Sequence, residues 1–93
     1  MSSSPLVSVI INCFNGEKFL KECLNSVCLQ TYKNWEIIFW DNFSSDRSKH
    51  ILNEYSNNKI KYYCSENFLN LYEARNLAIK KASGKYICFL DVD

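Results

Sequence analysis

The 93 residues predict an α/β fold built on a parallel sheet, on three observations. Short apolar, β-branched runs recur along the chain. Between them lie stretches in which apolar residues return at helical spacing, and the runs close on asparagine, aspartate or glycine. Strand and helix in strict alternation place successive strands parallel, joined by right-handed crossovers. The order β-α-β-α-β-α-β then gives a Rossmann-like, three-layer α/β/α arrangement on a mainly parallel, four-stranded sheet.

Residues 6–11, Leu-Val-Ser-Val-Ile-Ile, follow Pro5 and have the continuous apolar character of a strand covered on both faces. The run ends in Asn12-Cys13-Phe14-Asn15-Gly16, where asparagine and glycine favour a loop. From Glu17 the period changes. Phe19, Leu20, Cys23, Leu24, Val27 and Cys28 make one apolar stripe, so a helix is expected over 17–29. Residues 35–40 read as the second strand, and Asp41-Asn42-Phe43-Ser44-Ser45-Asp46 as a polar turn whose side-chain oxygens suit helix capping. A second helix is expected over 46–55, with Ile51, Leu52 and Tyr55 inward.

Residues 60–64 form the third strand, and Lys59 and Lys61 fit an edge, where lysine discourages unwanted pairing. Asn70 stands three residues before Glu73, the spacing of a capping box, so a third helix is expected over 71–82 with Leu71, Ala74, Leu77 and Ala78 against the sheet. Gly84 suits a left-handed residue after that helix. The fourth strand, from Tyr86 to Leu90, runs into Asp91-Val92-Asp93.

Composition narrows the function. With 47% hydrophobic and 15% aromatic residues the chain can bury a core, which excludes global disorder. A net charge of +1 leaves no electrostatic footprint for nucleic acid or an anionic membrane. Cys13, Cys23, Cys28, Cys64 and Cys88 form no C-x-x-C pair, which fits a reducing cytoplasm. With His50 as the sole histidine, a cysteine–histidine zinc site is disfavoured. Residues 1–5 lack the basic and apolar regions of a signal peptide and are expected to be a disordered leader to a single domain over 6–93. Gly16 and Gly84 are the only glycines, so neither a G-x-G-x-x-G dinucleotide loop nor a P-loop can be written.

What remains is a ring of polar residues at strand ends: Asn12 and Asn15, then Asp41 and Asn42, then Asp91 and Asp93. In an open α/β sheet the carboxyl ends of the strands share one crevice. Carboxylates there can hold a hard divalent cation, Mg2+ or Mn2+, against the phosphates of a substrate. A D-x-D alone is common by chance; its position after a strand is what gives it weight.

The motifs together resemble a known family. Val7-Ser8-Val9-Ile10-Ile11, Cys13-Phe14-Asn15, Leu24-Asn25-Ser26-Val27 with Gln30-Thr31-Tyr32, Trp35-Glu36-Ile37-Ile38 with the Asp41 to Asp46 turn, Glu66-Asn67, Ala74-Arg75-Asn76, and Gly84-Lys85-Tyr86-Ile87 with Asp91-Val92-Asp93 resemble, in order, the amino-terminal half of family 2 glycosyltransferases of the GT-A fold. The resemblance implies that Asn12 and Phe14 hold the nucleotide base. Asp41 and Asn42 would contact base and ribose, and Arg75 would lie on the nucleotide side of the cleft. It gives Asp91 a ribose contact and, with Asp93, the metal.

The implied activity is transfer of a sugar from a nucleotide-diphosphate donor, a UDP-sugar, to an acceptor hydroxyl in surface polysaccharide or glycoconjugate synthesis. The catalytic base is expected beyond residue 93. The alternative is a truncated nucleotide-binding fragment, or an interaction module, without transfer activity. The sequence departs from the family pattern in Asn12 for a proline, Asn42 for an aspartate and Phe43 for a small residue; Asn70 is the expected stand-in for a left-handed glycine before the third helix. Further expectations are a cytoplasmic location, peripheral to the inner membrane face in a longer protein, and a homodimer through the exposed fourth strand, Tyr86 to Leu90.

Overall fold

Parallel pairing follows from the alternation of elements. In the computed structural model, which describes residues 4–55 and 57–92, the order is β1 (Val7–Cys13), α1 (Glu17–Cys28), β2 (Trp35–Asp41), α2 (Ser48–Asn53), β3 (Ile60–Cys64), α3 (Leu71–Lys81) and β4 (Tyr86–Asp91). The strands form one parallel sheet in the order β3-β2-β1-β4. The two most continuously apolar runs are central, and every residue of β2 is buried. In the register, Asn12 lies beside both Trp40 and Asp91, and Cys13 beside Asp41, so the carboxyl ends of three strands finish level.

Side chains alternate across a strand, and the sheet sorts accordingly. Val9, Ile11, Ile37 and Phe39 meet Leu20, Leu24 and Val27 of α1 and Leu52 of α2. Ile10, Ile38 and Trp40 meet Ala74 and Ala78 of α3, whose small side chains let that helix sit close. Each fully buried leucine or isoleucine contributes about 1.5–3 kcal/mol. The α3 face also carries a polar seam. Glu36, 4% exposed, accepts from Ser8 Oγ at 2.6 Å, from the Ser83 N–H at 2.7 Å and from Lys61 Nζ at 2.7 Å. The Gly84 N–H in turn donates to Ser8 Oγ at 2.8 Å.

Several expectations need correction. The second helix is confined to Ser48–Asn53, and Asp46 lies before it rather than in it. Its Oδ1 accepts from the Ser48 N–H at 2.9 Å and its Oδ2 from the Glu17 N–H at 3.1 Å, so one carboxylate ties the starts of α1 and α2 together. Burial opposes ionisation there, yet those bonds hold the Asp46 carboxyl below its ordinary value. Leu71 does not pack inward; it is half exposed at the first turn of α3. Gly84 is not left-handed. What requires glycine is crowding, because a Cβ would stand 2.5 Å from Ser8 Oγ and 2.7 Å from Ser8 N.

Asn70 likewise has φ −70°, and its role is the capping box: its side chain accepts from the Glu73 N–H at 2.9 Å while Glu73 Oε1 accepts from the Asn70 N–H at 3.3 Å. Residues 1–3 of the expected leader lie outside the described residues. Ser4 and Pro5 accept hydrogen bonds from Asn34 and Tyr32. Lys61 sits on an edge strand, as expected, but its ammonium turns to the buried Glu36. The five cysteines are free. Among the described residues no helix is long and apolar enough to cross a membrane.

Candidate functional site

Where β1 and β4 end against the start of α3, the sheet leaves a cavity of about 380 Å³. Asn12, Phe14, Asn42, Arg75 and Asp91 line it, so five of the residues singled out in the sequence converge there. Asp93 lies outside the described residues.

Asp41 does not line the cavity. The second strand runs one residue further than the sequence predicts, through Asp41, which therefore keeps the alternation of Ile37 and Phe39 and points to the α1/α2 face. It is 3% exposed, and both oxygens are used: Oδ1 accepts from the Ser44 N–H and Oδ2 from the Tyr62 hydroxyl, each at 2.9 Å. Burial, and the carboxylate it donates to, push the Tyr62 hydroxyl well above its ordinary pKa, so it stays a donor.

The two loops that follow β1 and β2 hold each other. Asn15, at φ 49°, accepts on Oδ1 from the Ser45 N–H at 2.7 Å, and its own N–H donates to Ser44 Oγ at 2.9 Å. Phe43 is also left-handed, at φ 64°, and is half exposed. That conformation disfavours a bulky side chain. Gly16 makes a close approach to the chain end: a Cβ there would stand 2.7 Å from Val92 Cγ1.

Within the cavity the polar groups differ in their freedom. Asn42 is fully engaged: Nδ2 donates to the Leu69 carbonyl at 2.7 Å and Oδ1 accepts from the Leu69 N–H at 2.9 Å. Asn12 Nδ2 is buried with no hydrogen-bond partner among the described residues. Arg75 reaches Asp91 at 3.5 Å, and its guanidinium lies 5.1 Å above the Phe89 ring.

Sequence reasoning missed Phe68 and Leu69, which also line the cavity. Phe68 packs edge to face on Phe14, with centroids 4.7 Å apart and ring planes at 69°. Both rings are half exposed. The site thus combines exposed aromatic rings, an unpaired amide and a guanidinium beside a carboxylate, which suits a ligand that is planar at one end and anionic at the other. Among the described residues no cluster of three or more His, Cys, Asp or Glu side chains could cage a metal. A hard cation would fit the largely exposed Asp91 oxygens only if the ligand supplied further oxygens.

A parallel α/β sheet with such a crevice at its strand ends is shared with solved glycosyltransferases. The family model for glycosyl transferase family 2 matches residues 8–93, and the chain belongs to that family. It is 41% identical over 95% of its length to the Escherichia coli UDP-Glc:alpha-D-GlcNAc-diphosphoundecaprenol beta-1,3-glucosyltransferase WfgD, of which it covers 35%. It superposes on the Staphylococcus aureus TarS 1–349 complex with UDP-GlcNAc with a TM-score of 0.87 at 33% identity, over 94% of this chain and 26% of that one. GalNAc-T7, solved with UDP, GalNAc and Mn2+, matches with a TM-score of 0.83 at 30% identity, over 95% of this chain and 18% of that one. The chain spans between 13% and 36% of the length of eight curated relatives that it matches.

Proposed function

We propose that this chain is the donor-binding part of an enzyme that transfers a sugar from a nucleotide diphosphate, a UDP-sugar, to an acceptor hydroxyl in surface polysaccharide or glycoconjugate synthesis. The observation that carries it is the meeting of Phe14, Arg75 and Asp91 on one cavity at the strand ends. Phe14 offers a ring to the base. Asn12 supplies an amide able to give or accept a hydrogen bond at the base edge. Asp41, held by Tyr62 and Ser44, keeps the loop that sets Asn42 into the cavity wall against Leu69. Arg75 binds the diphosphate.

Asp91, with Asp93, is assigned to the ribose and to Mg2+ or Mn2+. Such an ion, when bound, stabilises charge on the departing diphosphate. Asp91 is the one carboxylate among the described residues lining the cavity, and it belongs to the donor side. On this reading the acceptor's proton is taken by a group outside the described residues that line the cavity.

Calorimetric titration with UDP in the presence of Mn2+ tests this reading. Binding is expected, and Arg75→Ala should weaken it roughly tenfold or more, as for loss of a charge-assisted hydrogen bond. Failure of UDP to bind in the presence of either metal refutes the proposal.

The remaining assignments are a cytoplasmic location at the inner membrane face and a dimer through β4. The free cysteines favour the first. The second is supported by the edge position of β4, with Tyr86, Ile87 and Phe89 exposed. Paired antiparallel with a second copy about Cys88, the strand would set Lys85 opposite Asp91 and Ile87 opposite Phe89.

A further inference from the structure

We infer that Phe68 is a second base-binding ring, and that Asn42 is the residue that positions it. This deepens the donor-binding reading and rests on it. The inference starts from the loop between β3 and α3. Its start is tied down by the Ser65 N–H on the Asp41 carbonyl and by Trp40 Nε1 on Ser65 Oγ; further along, Asn42, 6% exposed, holds it by donating to the carbonyl and accepting from the N–H of one residue, Leu69. Bonds to both the N–H and the carbonyl of Leu69 fix the two peptide groups that flank it in position and orientation, and the first of these joins Leu69 to Phe68.

Phe68 then stands against Phe14 at 4.7 Å and 69°. Two rings at that angle form a corner. A planar heteroaromatic base stacked on one ring turns its own edge to the face of the other, both favourable aromatic arrangements. Each ring is half exposed beside the cavity, so the corner is open to a ligand. Phe68 is carried by a different loop from Phe14, so the corner exists only while the two loops are held in register.

The side chain at position 42 decides whether that register holds. Aspartate, the residue expected from the family pattern, could accept from the Leu69 N–H but has no proton for the Leu69 carbonyl, and would set a carboxylate 2.7 Å from it. Only the amide satisfies both groups. The asparagine at position 42 therefore belongs with the loop conformation that carries Phe68.

The test is calorimetry with UDP and Mn2+, alongside Mn2+ pyrophosphate as a probe that lacks a base. Phe68→Ala should weaken UDP at least about fivefold, the lower end for a stacked base, and leave pyrophosphate unchanged. Asn42→Asp should weaken UDP as well, and the double variant should bind no worse than Phe68→Ala alone, because both changes remove the same corner. Phe68→Tyr, which keeps the ring, should restore affinity, and circular dichroism confirms that each variant is folded. Wild-type binding of UDP with no loss in Phe68→Ala overturns the corner alone. Tighter binding by Asn42→Asp, or additive losses, overturns the positioning role. Failure of the wild type to bind UDP overturns the donor-binding reading beneath it.

Discussion

At the scale of single residues, the positions where this chain departs from its family are those the structure makes informative. Phe43 has φ 64° and a half-exposed ring, so its backbone carries a left-handed cost with little packing in return. Phe43→Gly should relieve that cost, less the extra freedom glycine gives the unfolded chain, for a net gain of about 0.5 kcal/mol. A urea midpoint equal to or below that of the wild type would count against it. The resemblance already marked Phe43 as unusual, but the reason, a left-handed turn, is visible only in the structure. Asn42 and Asp41 show the complementary limit. Their types were legible, yet the face on which Asp41 falls depends on whether the strand stops before or after it. Phe68 carried no signal, because an exposed aromatic in an aperiodic loop reads like any core aromatic.

At the scale of elements, periodicity predicts all seven, and only their ends shift. Cross-element polar contacts are not periodic, and so the seam around Glu36 was not foreseen. Burial works against its ionisation. Lys61, Ser8 and Ser83 outweigh that and hold its carboxyl down at about 2, against an ordinary value of 4.5. A carboxyl lowered in the folded state contributes stability that is complete above the unfolded value and disappears as pH falls through the folded one. The window is therefore pH 4.5 down to about 2. Roughly 3 kcal/mol should be lost across it. Denaturation midpoints of wild type and Glu36→Gln, compared from neutral pH to pH 3, should converge as the wild type loses its advantage. Parallel curves would show that Glu36 has no special role.

At the scale of the whole molecule, the sheet order leaves two edges of different character. On β3, Lys61 reaches in to Glu36, and just before the strand Lys59 lies 4.8 Å over the Trp35 ring. On β4 the exposed residues ahead of Asp91 carry no charge and are mostly apolar, and such an edge invites pairing. Light scattering of the 93-residue chain should therefore show a dimer growing with concentration. Mild oxidation should trap it through Cys88, since directly opposed strand residues lie within disulfide reach. Cys88→Ser should abolish the cross-link and leave the dimer. A monomer at high concentration, or cross-linking that survives Cys88→Ser, would refute pairing about this residue.

The contact between Arg75 and Asp91, 3.5 Å long and open to water, costs little to separate. While it persists, each group spends part of its charge on the other. A cation that draws the carboxylate away leaves the guanidinium unneutralised beside the same cavity, and an anion that takes the guanidinium does the same for the carboxylate. Cation and anion affinities are thereby coupled with a positive sign, and reciprocally. On the donor-binding proposal, the pair would act as a latch that either ligand opens for the other.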